Sequence, residues 1–131
     1  MRYNDFDSKM PIYQQIIDKI ITQIARGDLA PGAKIASVRD LALAYNVNPN
    51  TMQKSLSKLE EMGYLHTERT SGRFVTSDAH TIQALKQQMP QKIIGGFVAE
   101  MTDIGVAARD ICNHVAKYIE GMENNGEDFG N

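Results

Sequence analysis

Residues 35–75 read IASVRDLALAYNVNPNTMQKSLSKLEEMGYLHTERTSGRFV. Ser37 has the side chain of a helix N-cap, and Val38, Leu41, Ala42 and Tyr45 then recur on one helical face. Asn46 to Asn48 is a turn. Asn48 caps a second helix, and Pro49 suits its first position, where a missing backbone N–H leaves nothing unsatisfied. The spacing of Met52, Leu56, Leu59 and Met62 predicts that these four are the buried row of that helix. Its polar face carries Gln53, Lys54, Ser57 and Lys58, and Gly63 stops it. Tyr64 to Arg69 and Gly72 to Thr76 are β-compatible runs around a short loop containing glycine, which predicts a hairpin. Two short helices across a tight turn, the second exposing polar and basic groups near its start, are the layout of a DNA-reading helix-turn-helix.

Upstream, a helix is expected from Pro11 to Arg26. Ile12, Ile16, Ile20 and Ile24 form one apolar row, and Tyr13, Ile17 and Ile21 form the next. A stripe that wide fits a helix packed on two sides. Gly27 and Pro31-Gly32 then turn the chain, and Lys34-Ile35 is a strand stub able to pair beside the hairpin. Downstream, Asp78 can cap a helix with Ile82, Leu85, Met89, Ile93, Phe97, Met101 and Ile104 at three- and four-residue spacing. Pro90 lies inside that run, so a kink or break is expected near Gln88-Met89. After a turn at Asp103 to Gly105, a last helix runs to about Met122, carrying Ile111, Cys112, Val115, Ile119 and Met122 on one face. The tail from Glu123 to Asn131 is acidic and almost free of apolar residues, which predicts disorder.

The whole chain has 131 residues and a formal net charge of −2. That length holds one ordinary core, or one core and a small appendage. Its charge is unevenly placed: residues 1–76 carry a net +2 and residues 77–131 a net −4. A basic surface must therefore be local, built from Lys34, Arg39, Lys54, Arg69 and Arg73. No long uncharged apolar run is present to span a membrane, and no signal-peptide pattern opens the chain, so a cytoplasmic protein is expected. A single cysteine, Cys112, leaves no internal disulfide framework. Cys112 and His114 are two apart and so point in different directions on a helix, while the glycines match no phosphate-binding fingerprint. No enzyme activity, metal or cofactor is expected.

Six pieces of the chain, all in register between Pro11 and Val75, resemble the GntR-type winged helix-turn-helix. They are PIYQQI, the G-x-L-x-P-G of Gly27 to Gly32, S-x-R-x-L-A of Ser37 to Ala42, VNPNT of Val47 to Thr51, L-x-x-L-E-E-x-G of Leu56 to Gly63, and G-x-F-V of Gly72 to Val75. Val38, the VNPNT run and the short remainder resemble the YtrA branch. The sequence departs from the pattern at Ala36, where proline is usual, and in a wing reading RTSGRFV where the family more often has R-G-x-G-T-F-V.

The resemblance implies a mainly α fold with a small β-hairpin: a winged helix-turn-helix over residues 1–76, a two-helix dimerisation segment over 77–122, and the tail over 123–131. It further implies a sequence-specific regulator, most simply a repressor, that binds double-stranded DNA as a homodimer on an inverted repeat. The expected DNA-facing residues are Ser37, Arg39, Asn48, Asn50, Thr51, Gln53 and Lys54 from the helix pair, and Arg69, Thr70, Ser71, Gly72 and Arg73 from the wing. Phe97, Met101, Ile111, Val115 and Ile119 are the expected dimerisation residues, because two amphipathic helices alone cannot cover their own stripes. The competing reading is a winged-helix protein-interaction module that never touches bases, since folds are shared across functions.

Overall fold

The computed structural model describes Phe6 and residues 9–125. Five helices and one hairpin follow in the order α1 (Ile12–Arg26), α2 (Val38–Tyr45), α3 (Pro49–Glu61), β1 (Leu65–Glu68), β2 (Gly72–Val75), α4 (Ala79–Asp103) and α5 (Ala108–Asn124). The fold is thus mainly α with a small antiparallel hairpin, a winged helix-turn-helix followed by C-terminal helices. The chain divides into two compact units, one ending at Gln87 and the other beginning at Gln88.

The first unit is built on α1. Ile16, Ile17, Ile20 and Ile24 are buried and meet Met52, Leu56 and Leu59 of α3, Ala42 and Tyr45 of α2, and Leu65 and Val75 of the hairpin in one core. Ile82 and Leu85, from the first turns of α4, are buried in this unit too. Gly27 closes α1 in the left-handed conformation that glycine tolerates without a Cβ clash. The Lys34 stub pairs as expected: Lys34 bridges Phe74, and Ile35 N–H donates to the Arg73 carbonyl at 3.0 Å while Val75 N–H donates to Ala33 at 2.8 Å. Leu65 to Glu68 pair with Val75 to Gly72, so Thr67 lies opposite Arg73.

The expected buried row of α3 is corrected at one end. Met62 is 44% exposed, whereas Ser55 is fully buried. Its single hydroxyl proton is shared between the Thr51 carbonyl at 3.0 Å and the Tyr13 carbonyl at 3.1 Å, and the latter contact fastens α3 to α1. A serine satisfied in this way can occupy a close helix contact that a larger apolar side chain would hold open.

The second unit contains the later part of α4, a turn and α5. Of the kink or break expected near Gln88-Met89, a break does not occur, for α4 is helical from Ala79 to Asp103 with Pro90 inside it. Proline removes one intrahelical hydrogen bond, and the remaining turns of a helix this long hold it through that gap. Asp78 caps α4, accepting from His80 N–H at 3.0 Å and from the Thr81 hydroxyl at 2.9 Å. Those bonds, Thr81 first, hold its carboxyl below the usual aspartate range. Gly105 turns the chain at φ 92°. The α5 helix continues through Asn124, two residues into the expected tail, and residues 126–131 lie outside the described residues.

Candidate nucleic-acid interface

The helix-turn-helix is set by two caps and one left-handed residue. Ser37 Oγ accepts from Asp40 N–H at 3.1 Å, and Asn48 Oδ1 accepts from Asn50 N–H at 2.7 Å. Between them Asn46 takes φ 57°, a conformation that asparagine tolerates better than most residues, and ends α2. Ser37 and Asn48 therefore fix where α2 and α3 begin, although both remain exposed. Arg39 is exposed in the first turn of α2 and has no hydrogen-bond or ion-pair partner among the described residues.

On α3, Asn50, Gln53, Lys54 and Ser57 are exposed and Thr51 is half-buried. Gln53 Nε2 donates to Ser57 Oγ at 3.0 Å, one turn on. The Lys54 ammonium lies 3.9 Å from the centre of the Tyr13 ring, a cation–π contact that ties it to α1.

Arg69, Thr70 and Ser71 form the exposed tip of the wing. Arg73 is placed differently. Its Nε donates to Glu60 Oε1 at 3.2 Å, and its side chain is only 16% exposed. The Thr67 hydroxyl, on the opposite strand, donates to the same carboxylate oxygen. Partial burial pushes the Glu60 carboxyl up, but the bonds from Thr67 and Arg73 outweigh it and hold the group below the usual glutamate range. Gly72 takes φ 116°, and a Cβ built there would stand 2.9 Å from Lys34 Cε.

Lys34, Ser37, Gln53, Thr67, Gly72 and Arg73 line one cleft of about 570 Å³ between the start of α2, α3 and the wing. Ser37, Gln53, Gly72 and Arg73 are thus brought together, while Lys54 is drawn to Tyr13. Two contributors were absent from the expected set, Glu60 and Thr67. Only the hairpin register reveals them, because it places Thr67 beside Arg73 over the last turns of α3.

The second unit holds an apolar groove of about 960 Å³ between α4 and α5. Phe97, Met101, Ile111, Val115 and Ile119 all line it, so the five residues singled out for dimerisation share one surface. Ile111 is buried, whereas Tyr118 is 70% exposed beside it. Among the described residues, no helix is long and apolar enough to cross a membrane.

The family of bacterial regulatory proteins designated gntR matches residues 12–75. The chain is 36% identical over 118 residues to an uncharacterised HTH-type transcriptional regulator, YhcF of Bacillus subtilis (strain 168), covering 90% of this chain and 98% of that protein. It is also 36% identical over 98 residues to the HTH-type transcriptional repressor YtrA of the same organism, covering 70% of this chain and 75% of that one. Among solved structures it resembles a GntR family transcriptional regulator from Listeria monocytogenes, with a TM-score of 0.79 and 36% identity over 86% of this chain and 98% of that chain. With its α2–turn–α3 reading unit and its wing, the chain belongs to the GntR family of DNA-binding transcriptional regulators, beside YtrA.

Proposed function

We propose that this regulator is a cytoplasmic repressor that binds an inverted-repeat operator as a homodimer, held together by residues 77–122. The observation that carries the reading is the apolar groove of the second unit, which leaves Phe97, Met101, Val115 and Ile119 without full cover. A second copy of the same helix pair supplies matching apolar surface. Two copies related by a two-fold axis present two reading helices, and such symmetry calls for an operator with matching half-sites. YtrA, 36% identical, is itself a transcriptional repressor by name, which supports the sign of regulation.

In the DNA-facing set, Arg39, Asn50, Thr51 and Gln53 contact base edges and phosphates. Arg69, Thr70 and Ser71 approach the backbone from the wing. Ser37 and Asn48 act by presenting the first turns of α2 and α3, where free N–H groups favour phosphate. Selection of duplexes from a random library by the full chain, with sedimentation of the free and bound protein, tests the reading. An inverted repeat bound by two chains is expected. A single half-site bound by one chain overturns it.

A further inference from the structure

Lys34 and Arg73 open into the same cleft beside the reading helix, yet their surroundings differ. Arg73 is matched by Glu60 at 3.2 Å, with side chains 16% and 28% exposed. The ammonium of Lys34 has no ion-pair or hydrogen-bond partner among the described residues, and the residue is exposed. From these facts we infer that Arg73 is a positioning residue that clamps the wing to α3 through Glu60, and that Lys34 is the cation meeting the DNA backbone from this cleft.

The clamp has three parts. Arg73 on β2 and Thr67 on β1 are cross-strand partners, and both donate to Glu60 Oε1. One carboxylate on the reading helix therefore grips both strands of the wing, fixing the hairpin's angle to the surface that reads DNA. Arg73 lies within the wing run RTSGRFV, so of the two arginines there one is committed to the clamp. Glu60 has few options besides these donors: its half-buried carboxylate would otherwise lose water without compensation.

Lys34 reaches the cleft by crossing Gly72. A side chain at position 72 would place its Cβ 2.9 Å from Lys34 Cε, so the lysine stem occupies the space that glycine leaves open. The backbone supports this path, since Lys34 bridges Phe74 and Ile35 N–H donates to Arg73 O at 3.0 Å. A strongly hydrated ammonium on a flexible stem suits a sequence-blind phosphate contact.

This inference rests on the DNA-binding reading, and the test separates the two. The full chain and its Lys34→Gln, Arg73→Gln and Glu60→Gln variants are titrated against a labelled random-sequence duplex over a range of salt concentrations. Thermal melts accompany each, and Arg73→Lys provides a milder variant should Arg73→Gln fold poorly. Lys34→Gln should lower the salt slope by about one unit per bound protomer. Arg73→Gln and Glu60→Gln should both weaken binding, by roughly fivefold for a single partly buried ion pair, and leave the slope unchanged. Arg73→Lys should restore part of the loss.

The decisive sign is that of Glu60→Gln. If Arg73 were itself a phosphate ligand, releasing it from Glu60 would tighten binding and steepen the slope, while Arg73→Gln would flatten it. That pattern, or an unchanged slope for Lys34→Gln, overturns the inference. If the unaltered chain binds no duplex even at low salt, the DNA-binding reading falls first, and the clamp loses its purpose with it.

Discussion

Arg39 is the side chain on which sequence reading depends most. It is exposed in the first turn of α2 with no partner among the described residues, so no fold contact explains it. An arginine there can make a bidentate contact to guanine, worth about 1–3 kcal/mol of discrimination. Arg39→Ala should weaken operator binding by that amount and leave the melting temperature close to that of the parent, as fluorescence anisotropy and calorimetry would check. Unfolding of the variant would assign Arg39 to the scaffold instead. Glu60 carries the complementary prediction about pH. Its folded-state carboxyl lies below its ordinary value because Thr67 and Arg73 hydrogen-bond the charged form more than burial disfavours it. A depressed acid stabilises the fold above its unfolded pKa and loses that contribution as pH falls through its folded one. Melts of the parent should therefore drop below about pH 4.5 more steeply than those of Glu60→Gln. Parallel acid limbs would show that the clamp adds nothing to stability.

At the scale of elements, the wing joins backbone conformation to side-chain placement. Gly72 holds φ 116° and leaves room for Lys34. Gly72→Ala imposes an L side chain on that backbone, at a cost of about 1–3 kcal/mol. It should lower the denaturation midpoint accordingly and weaken DNA binding together with it, because the flexible Lys34 stem must also shift. How legible these elements were in the sequence depended on how local their causes are. Caps and helix faces are local, so Ser37, Asn48, Pro49 and the isoleucine rows of α1 gave α1 to α3 their places. Ser55 was invisible because its partner, the Tyr13 carbonyl, lies on another helix. Met62 continues the apolar spacing of α3 yet sits at its C-cap, where the core has already ended. In the site, residue types pointed correctly to an exposed polar face. The commitments of Arg73 to Glu60 and Lys54 to Tyr13 emerge only from tertiary packing. Pro90 allowed either a kink or a break, and the helix runs on through it because the penalty is local, whereas the turns that absorb it extend along the whole of α4.

For the whole molecule, the question is how a chain with net charge −2 holds DNA. One winged unit offers few unpaired cations, since Arg73 is matched by Glu60 and Lys54 lies on Tyr13. Its hold on one half-site should be weak, with a shallow dependence on salt. Joining two units makes the second half-site an intramolecular target and multiplies affinity without any new contact. The groove between α4 and α5 is where this joining is proposed, and Ile111 is its most buried lining residue. A truncation should end at Gln87, so that Ile82 and Leu85 stay with the core they complete. That shortened chain should fold, sediment as a monomer and lose most operator affinity, while the full chain sediments as a dimer. A glutamate at position 119 tests the same point without truncation, since Ile119 is 42% exposed and a charge there can reach water in the monomer. In the assembled dimer its charge would be buried unpaired, which costs several kcal/mol. Ile119→Glu should therefore split the dimer while leaving each chain folded. A variant that remains dimeric and binds as tightly as the parent would remove the groove from the interface and leave it as a surface for some other partner.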